Sequence, residues 1–307
     1  MAFFGPDFKA TFDKQSGLLT SYLYKKHEYI LNGQGPRPFF WRAPTDNDYG
    51  ANLPVRLKAW KEASYQEPKA ESFQVTPGSN ATTIKVTYRF PQTDARWDIT
   101  YKIYASGVIK VDNRFMAEGD QAPMIPRVGL RMQLPESFTD LTYYGRGPKE
   151  NYRDRRTSQF IGEYAIPVKD MYEPYVRPQE NNHRTDIYWC ALTDKTQRGL
   201  LLIADRTFEL NASNYSLESM DSGDTIDNGT PRTEKTHHRH LTDPLPEKMV
   251  DLFIDYRMMG VGGDDSWGAT AHEPYLIRPG KENAIEYGFT LVPFDKKEDY
   301  KYLIRQY

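Results

Sequence analysis

Residues 261–268, with the sequence VGGDDSWG, have the composition of a rigid polar loop that holds one tryptophan. Gly263 and the glycine before it carry no side chain, so a tight turn is sterically allowed here. Asp264, Asp265 and the serine that follows can form hydrogen bonds with the loop's own backbone. Trp267 would then stand at the end of a stiff turn. Its flat ring could stack on the apolar face of a sugar or a base, or it could pack in a core.

Asp264 and Asp265 are adjacent carboxylates, which invites comparison with the acid and the nucleophile of a glycosidase. Retaining glycoside hydrolysis requires two carboxylates about 5 Å apart. Neighbouring residues of an extended chain point to opposite faces, which separates the two side chains. We therefore expect these aspartates to stabilise the loop through hydrogen bonds.

Asp46, Asn47 and Asp48 form a second polar cluster, in the sequence APTDNDYG. Carboxylate and amide oxygens of this kind are ligands for hard cations, but the ligand spacing of a calcium loop does not follow. A turn in which these side chains cap backbone amides accounts for the same residues. We favour the turn and predict no metal site here.

His237, His238 and His240 form a histidine-rich tract. On a strand, His238 and His240 would share one face. A zinc site needs further ligands, and no cysteine is near. Hydrogen bonding along a strand face is the interpretation that we favour.

One loop is unusually dense in charge. Its charged residues include Arg146, Glu150, Asp154, Arg155 and Arg156. Arginines close to glutamate, tyrosine and proline suit salt bridges or a subunit interface. We expect one of these roles here rather than catalysis.

The charge and composition of the chain exclude several classes of function. The formal net charge of the 307 residues is -2 and the pI is about 6.3, which gives no electrostatic basis for binding nucleic acid or an anionic membrane. Apolar runs such as residues 199–204 are far shorter than a membrane span, and residues 1–6 lack the features of a signal peptide. Cys190 is the only cysteine, which excludes an intramolecular disulfide and fits a cytoplasmic protein.

Alternation of apolar and polar residues with a period of two predicts antiparallel strands with one buried face. The clearest examples are residues 84–90, 97–103, 109–115, 250–256 and 285–291. One short helix is predicted within residues 53–63, and a further helical turn at residues 217–220. These features predict a single all-β domain over residues 1–307, a sandwich of antiparallel sheets whose long loops carry the polar clusters.

Six motifs follow one another along the chain. They are RAPTDND at 42–48, GRGPKENYRDR at 145–155, MYEPY at 171–175, PQEN at 178–181, HRHL at 238–241 and GGDDSW at 262–267. Together they resemble, in the same order, the C-terminal domain of large β-galactosidases of the glycoside hydrolase 2 type. Residues 8–19 resemble the first hairpin of that domain. The resemblance covers essentially the whole chain and implies an antiparallel β super-sandwich of the galactose mutarotase-like kind.

The resemblance also implies which part of an enzyme the chain supplies. In this family the catalytic glutamates and the Mg²⁺ ligands lie in a (β/α)₈ barrel, and no segment of this chain resembles that barrel. The methionine at position 1 suggests the small subunit of a split β-galactosidase. Such an enzyme hydrolyses terminal β-D-galactosides such as lactose, once a large barrel-bearing subunit completes the active site. We then expect no catalytic residue and no bound metal in this chain.

The resemblance implies roles for particular residues. Trp267 corresponds to the family's indole that reaches across to the sugar pocket of the barrel. The loop of Asp46, Asn47 and Asp48 corresponds to one that lies near the active site. Gly50 matches the glycine at the start of a mobile loop, and a positive φ there would suit a hinge.

Two other functions are compatible with the residue types. A free-standing aldose 1-epimerase needs a general base and a general acid on opposite sides of a sugar ring. Glu180, His183, His238 and His240 supply those types. A non-catalytic carbohydrate-binding module is the other alternative, and it would bind sugar without turnover.

Overall fold

Antiparallel strands dominate the chain. The computed structural model describes residues 1–117, 124–221, 240–265, 268–278, 280 and 284–306. The strands within these residues are β1 Ala2–Phe4, β2 Phe8–Phe12, β3 Leu19–Tyr24, β4 His27–Glu28, β5 Arg37–Phe39, β6 Ala70–Thr76, β7 Ala81–Phe90, β8 Ala95–Tyr104, β9 Ile109–Ala117, β10 Arg127–Pro135, β11 Phe138–Gly147, β12 Phe160–Pro167, β13 Arg184–Asp194, β14 Gly199–Ser213, β15 Met249–Met258 and β16 Ile285–Phe294. The five strands predicted from the alternation are present as β7, β8, β9, β15 and β16.

The strands form two antiparallel sheets. A small sheet has the order β1-β2-β3-β4, and a large curled sheet follows the path β12-β11-β13-β14-β16-β9-β8-β7-β6. A second branch of the large sheet runs from β14 through β15 and β10 to β5. The antiparallel super-sandwich predicted from the sequence is confirmed.

The large sheet forks at the long strand β14. Residues 199–204 of β14 pair with β16, whereas residues 209–213 pair with β15. The exposed residues 205–207 lie between the two paired segments. One continuous strand therefore belongs to both branches, and the branches diverge on either side of it.

The helices are short. They are α1 Asp46–Gly50, α2 Leu53–Arg56, α3 Lys58–Tyr65, α4 Leu217–Met220 and α5 Tyr300–Leu303. The predicted helical turn at 217–220 is confirmed as α4. The single helix predicted within 53–63 is wrong in detail, because the chain breaks at Leu57 into α2 and α3. Among the described residues no helix has the length and apolar character needed to cross a membrane.

An aromatic cluster in the core anchors the segment that leads into α1. The ring of Phe40 lies 5.1 Å from Trp60, 5.0 Å from Phe90, 5.5 Å from Trp97 and 5.4 Å from Phe115, measured between centroids. Burial of each such ring stabilises the fold by about 1.5–3 kcal/mol. The packing of Phe40 therefore fixes the position at which the polar residues that follow it leave the core.

Candidate functional site

Loops that are far apart in sequence meet around one open cleft of about 290 Å³, the small cleft. Its walls come from residues 45–47, 152, 155, 175, 179–180 and 261–262. Each of these segments lies in or beside one of the sequence motifs. The fold thus brings five of the six motifs to a single place.

A buried ion pair fixes the first of these loops. Asp48 accepts hydrogen bonds from Arg42 Nε at 3.0 Å and Nη2 at 2.7 Å, and both side chains are buried. Arg42 also donates to the carbonyl oxygens of Met259 at 2.6 Å and Gly260 at 3.1 Å. The guanidinium therefore joins the loop before α1 to the start of the loop at 261–268.

Helix α1 begins in a capping box. Thr45 Oγ1 accepts from the backbone N–H of Asp48, and the Asp48 carboxylate accepts from the backbone N–H of Thr45. This reciprocal pair satisfies two N–H groups at the helix start. Residues 46–48 therefore open a helix rather than a simple turn. The exposed Asp46 lies 3.8 Å from Arg177, and Asn47 Nδ2 donates to the carbonyl of Val261 at 3.3 Å.

Gly50 does not have the positive φ that its lack of a side chain would allow. Gly50 is the last residue of α1, and the left-handed residue in this stretch is Asn52, with φ of 56°. Asparagine tolerates this conformation better than most residues that have a side chain. The sharp change of chain direction therefore comes at Asn52, where α2 starts.

Asp154 holds the base of the loop at 261–268. Its carboxylate accepts from the backbone N–H of Val261 at 3.1 Å and of Gly262 at 2.7 Å. A Cβ at Gly260 would lie 2.5 Å from the same carboxylate, so a residue without a side chain is required there. The charge-rich loop thus positions the glycine-rich loop.

The aspartates of the glycine-rich loop bond locally. The highly exposed Asp264 lies 2.9 Å from His272 Nε2, and Asp265 accepts from the backbone N–H of Ala269 at 3.3 Å. A Cβ at Gly263 would lie 2.6 Å from the carbonyl oxygen of Ala269, so the two sides of the loop approach closely. Trp267 lies outside the described residues, as do His237 and His238.

Charged and aromatic side chains form the rim of the small cleft. Glu150 accepts hydrogen bonds from Arg155 and from the Tyr175 hydroxyl, and it also accepts from the backbone N–H of Asn182 at 2.6 Å. The Arg155 guanidinium lies 5.1 Å from the centre of the Tyr152 ring. Burial and the hydrogen bond to Glu150 raise the pKa of Tyr175. The predicted salt bridges of this loop are present, and they present hydroxyl and guanidinium donors to the cleft.

Arg146 and Arg156 complete the salt bridges of the charge-rich loop. Arg146 Nε lies 2.7 Å from Asp186, and Arg156 Nη1 lies 2.9 Å from the same carboxylate. One aspartate therefore ties the two ends of the loop to the start of β13.

A buried polar network lies beneath the small cleft. Glu180 accepts from Arg127 and from Asn211, both at 3.2 Å, and its backbone N–H donates to the carbonyl of Ala43 at 3.1 Å. His183 Nε2 lies 3.0 Å from Glu209 Oε2, and its ring stacks on Tyr152. Glu180 is 3% exposed and His183 is 0% exposed, so these two residues do not face each other across an open, ring-sized pocket.

Asp255 lies at the centre of the same network. It is fully buried, its Oδ2 lies 3.4 Å from Arg127 Nε, and neither of its carboxylate oxygens has a hydrogen-bond partner among the described residues. Burial raises the pKa of Asp255 to about 7, while the charge of Arg127 opposes the rise. This carboxyl group therefore titrates far from its ordinary range.

The small cleft does not have the donors of a metal site. A hard cation needs several convergent oxygen ligands. Asp48 turns inward to Arg42, which leaves Asp46 and Asn47 at the cleft. Within the described part of the chain, no three His, Cys, Asp or Glu side chains are grouped as metal ligands.

Sequence reasoning missed the residues that hold the cleft together. Arg42 and Asp154 connect the loops, yet nothing in their local spacing distinguishes them from exposed charges. The one signal available was their occurrence inside the motifs, beside the glycine and aromatic residues that line the cleft.

A comparison with known protein families identifies the family of the chain that forms this cleft. The sequence profile of the family described as "Beta galactosidase small chain" matches residues 4–291. The chain belongs to the β-galactosidase small chain family. Its two most prominent sequence features, the charge-rich loop and the glycine-rich loop, both lie within the matched residues.

Curated relatives of this chain are longer proteins. A beta-galactosidase of Priestia megaterium is 35% identical over 273 residues, which cover 89% of this chain and 25% of that protein. A beta-galactosidase of Lactobacillus delbrueckii subsp. bulgaricus is 33% identical over 276 residues, again 89% of this chain and 25% of that protein. The chain therefore spans about a quarter of the length of these relatives.

Among solved structures, a GalM/aldose epimerase homologue from C. elegans is similar to the chain with a TM-score of 0.49 and 11% sequence identity. The match covers 96% of this chain and 99% of that one.

Proposed function

We propose that this chain is the small subunit of a heteromeric β-galactosidase that hydrolyses terminal non-reducing β-D-galactose residues, as in lactose. The small cleft is its contribution to an active site that a large, barrel-bearing subunit completes. The catalytic glutamates and the Mg²⁺ belong to that partner, and the whole assembly is a cytoplasmic enzyme. Residues 1–307 act as one domain of it.

The observation that carries the proposal is the convergence of five motifs on a cleft without free carboxylates. Within the described residues, its lining includes two acidic groups, Asp46 and Glu180. Glu180 is buried against Arg127, and Asp46 is exposed beside Arg177. A retaining glycosidase needs an acid/base and a nucleophile about 5 Å apart, both facing the substrate. This pair does not provide them, which supports the assignment of catalysis to a partner.

The chain length supports the same division of labour. The β-galactosidases that it resembles are about four times longer, and the matched part is a quarter of each. These 307 residues therefore do not supply the remaining domains of such an enzyme.

Trp267 is the substrate-binding residue in this proposal. Its indole stacks on the galactose ring from the small-subunit side, and Gly263, Asp264 and Asp265 shape the loop that carries it. The hydrogen bonds of Asp154 to Val261 and Gly262 support this role, because they fix the base of the same loop.

Reconstitution tests the proposal directly. The chain and a barrel-bearing large chain from the same organism are purified separately, mixed, and assayed with o-nitrophenyl β-D-galactoside. We expect the mixture to hydrolyse the substrate and each chain alone to be inactive. Hydrolysis by the small chain alone would contradict the assignment of catalysis to the partner, and accelerated mutarotation of galactose would favour the epimerase.

A variant of Trp267 tests the substrate contact. Replacement of the indole by Ala should raise the KM of the reconstituted enzyme about tenfold, because aromatic stacking is worth about 1 kcal/mol or more. Trp267→Phe is the matched control, since it keeps a ring, and it should lose less. An unchanged KM for both variants would remove Trp267 from the substrate site.

A further inference from the structure

A second and larger cleft, the large cleft, lies at the fork of strand β14 and has a volume of about 1140 Å³. Its lining comes from β6–β9 and β16 on one branch, from β15 on the other, and from residues 205–207 and 209 of β14. Arg153 and Arg156 of the charge-rich loop and Asp186 of β13 complete it. It shares no lining residue with the small cleft within the described part of the chain. The proposed galactosidase site therefore does not account for it.

Most of the lining on the strands is the polar half of the period-two pattern, and Val86, Asn113 and Tyr287 of the buried half also reach it. On β7 and β8, the apolar residues Ile84, Val86, Trp97 and Ile99 are buried in the core. The polar residues that alternate with them point to the opposite face of the sheet, where they line the large cleft. The sheet therefore carries rows of charged and hydroxyl side chains on this face.

Among the described lining residues of the large cleft, the carboxylates are all paired with cations, whereas some of the cations have no carboxylate partner. Each carboxylate of its described lining has a cationic partner, as in Arg96 with Asp98 at 2.9 Å and Arg114 with Glu286 at 3.3 Å. Lys85, Arg206 and Arg257 also line it, and none of these three has an ion-pair partner among the described residues. The charge left uncompensated in the large cleft is therefore entirely positive.

The Arg257 guanidinium in the large cleft stacks on an aromatic ring. The guanidinium lies 4.9 Å from the centre of the Tyr256 ring, and the Tyr256 ring lies 6.1 Å from that of Tyr287. Stacking of a guanidinium on a ring leaves the N–H donors in its plane free. A partly buried tyrosine ring and a guanidinium without an ion-pair partner among the described residues thus lie side by side in the lining of the large cleft.

The uncompensated cations are far apart. The strand register places Lys85 opposite Thr100, Thr100 opposite Asp112 and Asp112 opposite Gly288. Strand β14, which carries Arg206, follows β16 as the next neighbour. Four strand spacings of about 4.8 Å separate the two cations by roughly 19 Å along the sheet. A linear oligomer with charged groups on several units matches a separation of this order along the sheet better than a single small anion does.

We propose that the large cleft binds an anionic oligosaccharide, a chain of sugar rings that carries carboxylate or sulfate groups. The separated cations receive its charges, the tyrosine rings receive the apolar face of a ring, and the paired carboxylates and threonines receive its hydroxyls. The same carboxylates oppose nucleic acid, which has a phosphate on every unit and fewer hydroxyl donors.

Titration calorimetry of the whole chain with trigalacturonate tests this proposal, with fully methyl-esterified trigalacturonate and inorganic sulfate as comparison ligands. The acid form should bind about tenfold more tightly than the neutral ester, because the ester keeps the rings and loses the charges. Raising NaCl from about 50 mM to about 500 mM should weaken only the acid form, by screening. This comparison needs no variant.

The double variant Arg206→Gln/Arg257→Gln should weaken trigalacturonate binding about tenfold, and Lys85→Gln should weaken it less. Arg305→Gln removes an exposed arginine elsewhere and should change nothing. Equal binding of acid and ester, no binding of either, or full retention by the double variant would overturn the proposal. Displacement of trigalacturonate by equimolar sulfate would also overturn it, since that would show a simple anion site. None of these outcomes bears on the galactosidase assay, which uses the other cleft.

Discussion

The two clefts of this chain are built in opposite ways. The small cleft lies between loops, and buried charged groups such as Arg42 and Asp48 hold those loops together. The large cleft lies mainly on a sheet. Apart from the buried Glu209, which pairs with Arg153, its ion pairs are more exposed, with Arg114 and Glu286 at 47% and 68% side-chain exposure. A buried pair becomes very costly when one partner is lost, whereas an exposed pair contributes little. Mutations should therefore disrupt the small cleft through stability and the large cleft through binding alone.

The largest effect should follow from Arg42→Met. It leaves the Asp48 carboxylate buried without its guanidinium and frees the carbonyls of Met259 and Gly260. We expect the free energy of unfolding in urea to fall by about 3–5 kcal/mol. Arg89→Met, which breaks the half-exposed pair with Glu71, is the matched control and should cost less than about 1 kcal/mol.

A double variant separates the cost of an orphaned charge from loss of packing. In Arg42→Met/Asp48→Leu neither charge remains, so part of the lost stability should return. If the double variant were no more stable than Arg42→Met, the cost would lie in the carbonyl contacts rather than in the isolated carboxylate.

The next-largest effect concerns the pH dependence of stability, which we attribute to Asp255 in the buried polar network beneath the small cleft. The pKa of Asp255 is raised to about 7 in the folded chain, so the folded state binds a proton that the unfolded state has released. Stability should therefore fall as pH rises from about 4 to about 7, by about 3 kcal/mol from this group. Asp255→Asn mimics the protonated form and should flatten this slope in urea unfolding at several pH values. An unchanged slope would assign the pH dependence to another group.

The smallest effects are expected from two Asp→Asn substitutions, one beside the small cleft and one in the large cleft. In Asp154→Asn one of the two amides of Val261 and Gly262 loses its acceptor, and we expect a loss of about 1–2 kcal/mol in stability. Activity of the reconstituted enzyme should fall about tenfold, because the loop base moves. Asp205→Asn in the large cleft removes a half-exposed partner of Lys110 and should leave both quantities nearly unchanged. Equal losses from the two variants would show that the clefts do not differ in the way described.

The strands were predictable from the sequence because alternation is a local signal. Strands β7, β8 and β9 repeat it over nine or ten residues each, and burial follows the same period in β8 and β9. The fork of β14 was not predictable in this way. Its apolar residues look alike on both sides of residues 205–207, and only the pairing partners differ.

The candidate site was predictable as a set of motifs, whereas its geometry was not. Asp46 and Asn47 do line the small cleft, but Asp48 from the same cluster turns inward to Arg42. The hinge at Gly50 stays a prediction, and in this structure that glycine ends a helix capped by Thr45 rather than having a positive φ. In each case a contact with a distant or neighbouring side chain overrides what the residue type alone allows.

The hydrogen bonds of Asp154 and Arg42 at the base of the glycine-rich loop have a consequence for assembly rates. The conformational entropy of residues 259–262 is lost when the chain itself folds, not when a partner arrives. A partner that docked on this loop would meet a preformed surface, with an association rate set by diffusion and orientation. Differences in affinity between variants of this surface should then appear mainly in the dissociation rate.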